Sequence, residues 1–555
     1  MAVVILAWVV VASVINPVGN FPINDDWAFA LPVKAMVQDG AFRLTDWQGM
    51  TLVTQTLWGS IFCLPGGFSF TTLRISSLVL AVFIPLGCYR LMKASPARTA
   101  IVWIGVLAVA ANPLFVPLSF TFMTDIPFLA LAIISIVMLI RGVEGGSNRD
   151  LWTGLILGLL ATFVRQTGIA IFLGYLVALP FHDGLRRRWF VTGLVPTLIV
   201  FGSLIAYKKM LIALGQLPDL YDAQAVLTAA MIQSIVTLKF GVLRILAWRT
   251  LVLLLHVGLF SFPVLILIAR SLLRGTRTVR LARAVWIVGF SASASYYLWR
   301  ERSLMPFLGN VVEAWGVGPV LLAGASPAGM PVGLRLTLTV ISAVGGALWV
   351  LLLVDALLAF LRPGLDAPSR RWRLVFFAGF IALNCAVTVV NYAPIYDRYL
   401  LPIVTMSIVM AVSMAHANGS PPGRPAFVAS GVVLAIFLLF SVAATRDYLV
   451  LNRARWELLT DLVERQRVSP QSIDGGFEFN NLASELESYQ RSGQFARKTR
   501  ARGQIARDPS HGRGFYEISL SPRAGATIVR RLDVQVWFPY SPPSLFVLQD
   551  NAPGT

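Results

Sequence analysis

Apolar residues come in long runs along this chain, without the strict alternation of a half-buried strand or the single stripe of a soluble amphipathic helix. The first run begins at Met1 as MAVVILAWVVVASVI, and others near the spanning length of about 20 residues recur as far as Phe440. Spans fit near residues 1–17, 71–92, 99–117, 124–140, 151–164, 167–181, 190–211, 241–269, 284–299, 334–361, 374–392, 399–416 and 426–444, about thirteen in all. A secretory leader would supply one apolar core of about 7–15 residues, so residues 1–17 are read as a first span. The pattern predicts an α-helical polytopic membrane protein. Residues 52–64 are too short to cross and are read as a helix lying on the outer face.

The periodicity changes after Thr445. RARWELLTDLVERQ has helical apolar spacing with charged intervening positions, IDGGFEFNN carries a glycine turn, and GFYEISL and TIVRRLDVQVWF alternate as strands do. The expected organisation is a membrane domain over residues 1–444 and a small soluble α+β domain over 445–555. No internal period suggests repeats or an inverted duplication.

Charge then orients the spans. The chain has 56% hydrophobic and 13% charged residues and a formal net charge of +19. In a soluble protein such an excess would suggest nucleic acid; here the basic residues gather in every second short connection, the positive-inside pattern. Arg90, Lys93 and Arg98 mark one such connection and Arg141 with Arg149 the next. Arg186, Arg187 and Arg188 follow, then the series from Arg270 to Arg283, then Arg362, Arg370, Arg371 and Arg373; HANGSPPGRP from His416 is the weakest. An odd number of spans places the N-terminus in the cytoplasm and the tail after Thr445 outside. Residues 151–181 must turn near VRQTG to keep their flanking basic loops on one side, which brings Arg165 to the outer surface, where a charge costs less. The basic stretch from Arg491 to Arg507 lies in the translocated tail, where the rule does not apply, and either is solvated or meets anionic head groups or acidic glycans. Cys63, Cys88 and Cys385 lie in or beside apolar segments and read as packing residues, with no CxxC spacing.

Candidate chemistry collects on that outer side. FPINDDWAFA places Asp25 and Asp26 after the first span, Asp125 opens a span in SFTFMTDIPFLAL, and Asp397 with Arg398 and Tyr399 begins another in NYAPIYDRYLLP. Asp25 and Asp26 could simply sit in a solvated loop or cap the helix WAFALPVKAMVQ. Acids and arginines converging on one face suit an anion together with a hydroxyl. No Walker or GxGxxG phosphate loop is present, so no nucleotide cofactor is expected, and a donor used outside must arrive through the bilayer. Within IDGGFEFN, Glu478 and Asn480 could cap a ligand pocket, although a glycine turn between a helix and a strand accounts for the motif equally well.

Together these motifs resemble the GT-C glycosyltransferases. They are a first outer loop with paired acids, an acid opening a later span in MTDIP, a cation at a span turn in LLATFVRQTGI, and a late DRYLLP. The nearest layout is that of the bacterial protein O-mannosyltransferase and lipid A aminoarabinose transferase group. The resemblance implies a polyprenyl-phosphate-linked sugar as donor, an extracytoplasmic glycan, lipid or protein as acceptor, inverting transfer, and a place in the bacterial inner (plasma) membrane. It makes Asp25 the base, with Asp26 and Asp125 orienting the acceptor or holding a divalent cation, Mg2+ or Mn2+. Arg165, Arg398 and Tyr399 would contact donor phosphate or sugar. The chain departs from the family in having NDDW in place of an Asp-Glu pair, and TQTLWGSIFCLPGG lacks a PPL-type element. The competing class is a multi-pass transporter or lipid flippase, which would place charges near the bilayer midplane.

This threading makes a direct prediction. Reporter fusions at Gly275 and at Asp474 fall on opposite sides of the membrane; matching sides would overturn the orientation of every candidate residue.

Overall fold

A hydrocarbon layer offers backbone groups no water, and a helix satisfies them within its own segment. The computed structural model describes residues 2–324, 327–361, 368–391, 394–415, 422–496 and 515–550, and helices occupy every expected span. In chain order they are α1 (Ala2–Ile15), α2 (Asp26–Asp39), α3 (Val53–Cys63), α4 (Phe70–Lys93), α5 (Thr99–Ala110), α6 (Phe115–Ser119), α7 (Asp125–Glu144) and α8 (Asn148–Thr162). There follow α9 (Ile169–Ala178), α10 (Pro180–Asp183), α11 (Val195–Ala213), α12 (Asp219–Val236), α13 (Phe240–Leu272), α14 (Arg277–Arg300), α15 (Val332–Leu361), α16 (Pro368–Val390), α17 (Leu401–Met414), α18 (Arg424–Thr460) and α19 (Phe477–Ser492). Among the described residues, eight helices are long and apolar enough to cross a membrane. The chain is a multi-pass helical membrane protein with a small strand region at its C-terminal end.

The bundle closes through small residues. α13 packs along α15 and α9 along α16, and in both pairs glycine faces glycine. A Cβ on Gly258 would lie 2.1 Å from the Gly346 amide nitrogen, and one on Gly379 would lie 3.2 Å from the Gly174 Cα. Such close backbone approach is how helices gain packing contact in lipid, where no hydrophobic drive joins them. The three cysteines are free, with Cys63 and Cys88 buried, as their apolar settings imply.

Two features depart from the sequence reading. α12 occupies a stretch expected to be a connection; Asp219, Tyr221, Asp222 and Gln224 break its apolar run, and only Met231 along it is buried. α18 does not end where the last span does. It continues as one helix through residues 444 and 445, since no glycine or proline interrupts it between Gly431 and Thr460. The glycine turn in IDGGFEFNN lies, as read, between a strand and a helix: the strand Ile473–Asp474 precedes it and FEFNN opens α19.

The tail is built on the end of α18. Strands β1 (Val312–Glu313) and β2 (Gly316–Val317) form a small hairpin before α15; β3 (Ile473–Asp474), β4 (Tyr516–Ser519), β5 (Ala526–Asp533) and β6 (Ser544–Asp550) form a sheet of order β3-β4-β6-β5. The β3–β4 pair is parallel and the others are antiparallel. Leu451, Leu458, Leu459 and Leu462 from α18 and the turn after it share a core with Ile473, Phe479, Ile518, Leu545 and Val547. A helix that begins with the apolar texture of a span thus ends as the floor of this sheet. Most of the basic stretch from 491 to 507 lies outside the described residues.

The glycine crossing is testable. Gly258→Ala forces α13 away from α15 and lowers stability by roughly 1–3 kcal/mol, as overpacking does, and Gly258→Leu prevents accumulation of folded protein. Gly202→Ala, where a Cβ meets nothing within 4 Å, leaves the melting temperature in detergent unchanged or higher. Equal melting of Gly258→Ala and wild type would remove the crossing from its structural role.

Candidate functional site

The NDDW turn begins with Asn24 at φ 56°, a left-handed conformation that Asn tolerates better than most residues. Asp25 occupies the N-cap position of α2, and its carbonyl accepts from the Ala28 amide at 3.0 Å. Its side chain does not cap. Oδ1 accepts from Trp47 Nε1 at 3.0 Å and Oδ2 from Arg398 Nη2 at 2.9 Å. Asp26 points elsewhere, accepting the Phe122 amide at 2.9 Å and tying α2 to the loop before α7. The adjacent acids are therefore not equivalent: one meets a cation, the other a backbone segment.

Asp125 and Arg165 form a second buried pair, Nη1 to Oδ1 at 2.5 Å. Arg165 lies in the break between α8 and α9 in extended conformation, φ −142° and ψ 133°. The chain folds back so tightly there that a Cβ on Gly168 would lie 2.6 Å from Thr162 backbone. This is the turn expected near VRQTG, and it projects the guanidinium from a helix end rather than a helix flank.

Tyr399 joins the two pairs. The guanidinium carbons of Arg165 and Arg398 each lie 5.2 Å from the centre of its ring, within cation–π range. Arg398 also donates toward Met123 Sδ at 3.4 Å and the Tyr399 hydroxyl at 3.5 Å. Asp25, Asp125, Arg165 and Arg398 are all buried, and among the described residues Asp125 Oδ2, Arg165 Nε and Arg398 Nε have no hydrogen-bond partner. Buried polar atoms are rarely left unpaired, so the cluster has capacity for a further charged or polar ligand.

A cavity of about 810 Å³ reaches this cluster. Arg165, Gln166 and Tyr399 lie on its wall with Gln224 of α12, while Ile232, Val236, Val387 and Val390 supply an apolar lining. Asp25, Asp26, Asp125 and Arg398 are not among the lining residues; Asp25 and Asp125 connect to the cavity through the arginines and Tyr399. Thus five of the six candidate residues meet in one network, and Asp26 stands beside it.

The residues do not fit a divalent cation as arranged. Among the described residues no group of three histidine, cysteine or acidic side chains is placed to hold one, and Asp125 is engaged by a guanidinium. Burial pushes the Asp26 carboxyl up to about 8, against the pull of Arg74 and the Phe122 amide, and a protonated carboxyl is a poor ligand for a hard cation.

Sequence reasoning missed two supports. Arg74, fully buried in α4, donates to the carbonyls of Pro17, Gly19 and Phe21 and so holds the chain leading into NDDW; an arginine between apolar residues in FTTLRISS was the available signal. Trp47 gave none, since an outer-loop tryptophan reads as an interface anchor.

Residues 51–208 match the family model described as dolichyl-phosphate-mannose-protein mannosyltransferase. That segment encloses Asp125 and Arg165 and leaves Asp25 and Arg398 outside. It bears out, over its length, the GT-C resemblance. No curated protein matches the chain. Among solved structures, the chain is similar to the crystal structure of ArnT from Cupriavidus metallidurans bound to undecaprenyl phosphate, with 12% identity, coverage of 99% of this chain and 96% of that one, and a TM-score of 0.40. It is similar also to the arabinosyltransferase EmbB from Mycobacterium smegmatis, with 13% identity, coverage of 97% and 45%, and a TM-score of 0.32.

The Asp26 environment has a measurable sign. An acid whose pKa rises on folding binds its proton more tightly in the folded state. Its contribution is therefore most favourable below the unfolded value of 3.8 and is lost as pH rises toward about 8. Asp26→Asn keeps an acceptor for the Phe122 amide and removes the titration. The melting temperature of wild type, relative to that of the variant, falls as pH is raised between those values; parallel melting at every pH would refute the assignment.

Proposed function

We propose that this chain is a membrane glycosyltransferase that takes a sugar from a polyprenyl-phosphate donor and passes it, with inversion, to an acceptor hydroxyl outside the membrane. The observation that carries the reading is Tyr399 between Arg165 and Arg398 at the wall of a largely apolar cavity, with Asp25 bound to the second arginine. The description of the family matched by residues 51–208, which names dolichyl-phosphate mannose, supports a lipid-linked donor. On this reading the protein works in the plasma membrane, the inner membrane of a bacterium, with its N-terminus in the cytoplasm and its tail outside.

Each part of the cluster then has work. The prenyl chain lies along the apolar wall made by α12 and α16, and its phosphate comes to the guanidiniums, which can bind oxygens in two-pronged fashion. The acceptor hydroxyl approaches Asp25. Its oxygen forms the new bond to the anomeric carbon, its proton passes to the Asp25 carboxylate, and the electron pair of the breaking carbon–oxygen bond leaves with the phosphate. The leaving phosphate gains negative charge in a site already supplied with two fixed cations, so no reorganisation of water is needed to stabilise it. Trp47 holds Asp25 in place when the phosphate draws on Arg398. Asp125 fixes Arg165, and Asp26 fixes the loop that carries Met123 and leads into Asp125.

The acceptor is identified by comparing envelope glycans and glycoproteins by mass spectrometry with and without the gene. Purified protein in a lipid bilayer, supplied with polyprenyl-phosphate sugar and that acceptor, then tests the roles. Asp25→Asn lowers turnover by roughly 10²–10⁴-fold, the usual loss with a general base, and leaves donor affinity nearly unchanged. Arg165→Ala weakens use of subsaturating donor more than Arg165→Lys, which keeps charge without the planar fork. Wild-type turnover in folded Asp25→Asn would remove the base assignment, and equal donor use by all three proteins at position 165 would remove the phosphate grip.

A further inference from the structure

The backbone amide immediately before Asp25 is held from a residue 454 positions away in sequence. Asn24 N donates to Glu478 Oε1 at 3.0 Å, and Glu478, at the start of α19, is fully buried. Its other oxygen accepts from Arg455 Nη1 at 2.9 Å; Arg455, on α18, is itself buried and donates to the Gly475 carbonyl at 2.8 Å. The turn that aims Glu478 inward is closed by its neighbour: Asn480 accepts the Gly475 amide and donates to Asp474. Gly476, at φ 89°, supplies a conformation that a residue with a Cβ adopts poorly.

A buried ion pair is weak evidence for stability, because desolvation consumes most of the attraction. The more informative fact is where the free oxygen points. It meets the left-handed Asn24, whose φ rotation would swing Asp25. Asn24 Nδ2 donates in turn to Asn310 Oδ1 at 3.0 Å, and the next two amides, of Val311 and Val312, donate to the Asp397 carboxylate at 3.0 and 2.7 Å. Asp397 precedes Arg398, which returns to Asp25. The contacts make a closed circuit of Asn24, Asn310, Asp397, Arg398 and Asp25, with Glu478 as the anchor from the tail. Phe477 adds a second contact from the same helix: its ring packs on Trp47 at 5.5 Å and on Trp27 at 6.0 Å, and Trp47 is the other donor to Asp25.

We propose that Glu478, braced by Arg455, is a positioning residue for Asp25, so that the C-terminal segment is a working part of the site in the membrane-spanning half. The inference rests on the transfer reading for its kinetic consequence. It predicts an effect on turnover with little effect on donor capture, because among the described residues Arg165 and the cavity lining make no hydrogen bond to Asn24, Glu478 or Arg455, Arg398 is held by the Tyr396 and Tyr399 rings as well as by Asp25, and small misplacements of a reacting group are costly.

Two measurements on the full-length protein test it. In hydrogen exchange read by mass spectrometry, the peptide containing Asn24 exchanges faster in Glu478→Ala than in wild type, with α13 unchanged. In the transfer assay, Glu478→Ala loses roughly 10- to 100-fold in kcat while the donor KM stays within about twofold. Glu478→Gln offers one acceptor to two donors and falls between Ala and wild type in both readouts. Should the Ala variant fail to fold, the Gln variant decides: reduced kcat at unchanged KM supports positioning, and wild-type kcat overturns it. A KM that rises in step with the loss of kcat, or unchanged exchange at Asn24, also overturns it. Absence of transfer by wild type itself would defeat the transfer reading instead, and the exchange experiment would still report whether Glu478 holds the loop.

Discussion

Two buried carboxylate–guanidinium pairs sharing one tyrosine ring are the constraint on which the rest of this structure turns. Charges removed from water cost several kcal/mol each unless paired at good geometry, so wherever Arg165 and Arg398 are buried, Asp125 and Asp25 must follow. Each of the four comes from a different part of the chain: a break between helices, the start of α17, the start of α7, and the cap of α2. Satisfying both pairs at once therefore fixes the mutual placement of four helix ends. The glycine crossings act elsewhere in the bundle, where α9, the helix that follows the Arg165 turn, seats closely against α16.

The sharing is incomplete. Among the described residues Asp125 Oδ2 and the Nε atoms of both arginines are buried without partners, and a second acceptor with several oxygens would satisfy the two Nε donors at once. A phosphate has that form. The cation–π contacts hold both guanidiniums against the same ring at equal distance, which keeps them from separating when a ligand competes with the aspartates. In this arrangement the aspartates orient the cations and need not leave when an anion arrives, because a guanidinium has five donors to distribute.

The helices were legible because spanning length and hydropathy leave one solution in lipid; the arginine-rich connections supply the orientation expected for them. The grouping of Asp25, Asp125, Arg165, Arg398 and Tyr399 was legible for a related reason: polar residues at the ends of apolar runs on one expected side have little else to meet. What failed to read from sequence was whatever depended on contact between distant segments. Asp25 sits where a cap would sit, and only Trp47 and Arg398 turn its side chain away. α12 is too polar to count as a span and too exposed to show a buried face, so its part in the cavity wall left no pattern. IDGGFEFN suggested a pocket or a turn, and its carboxylate instead crosses to the first loop. The continuity of α18 was hidden by the change from apolar to charged residues, which alters what surrounds a helix without ending it.

That continuity also bears on the proposed role of the tail. Arg455 stands on the same helix whose earlier turns cross the bundle, so the brace for Glu478 is held by the membrane domain itself and not by a flexible linker. Asn310 and Asp397 connect the same loop to the start of α17, where Arg398 lies. A displacement at either anchor reaches Asp25 through short hydrogen bonds and the left-handed Asn24, whereas the cavity beside α12 lies on the far side of Arg398, walled by Tyr399 together with Arg165 and Gln166. Under the proposed transfer these two parts would answer different demands: a lateral, apolar and tolerant approach for a long chain, and a narrow, rigid seat for the group that takes the proton. The apolar walls can serve the first with modest packing, and the polar circuit concentrates its rigidity on the second.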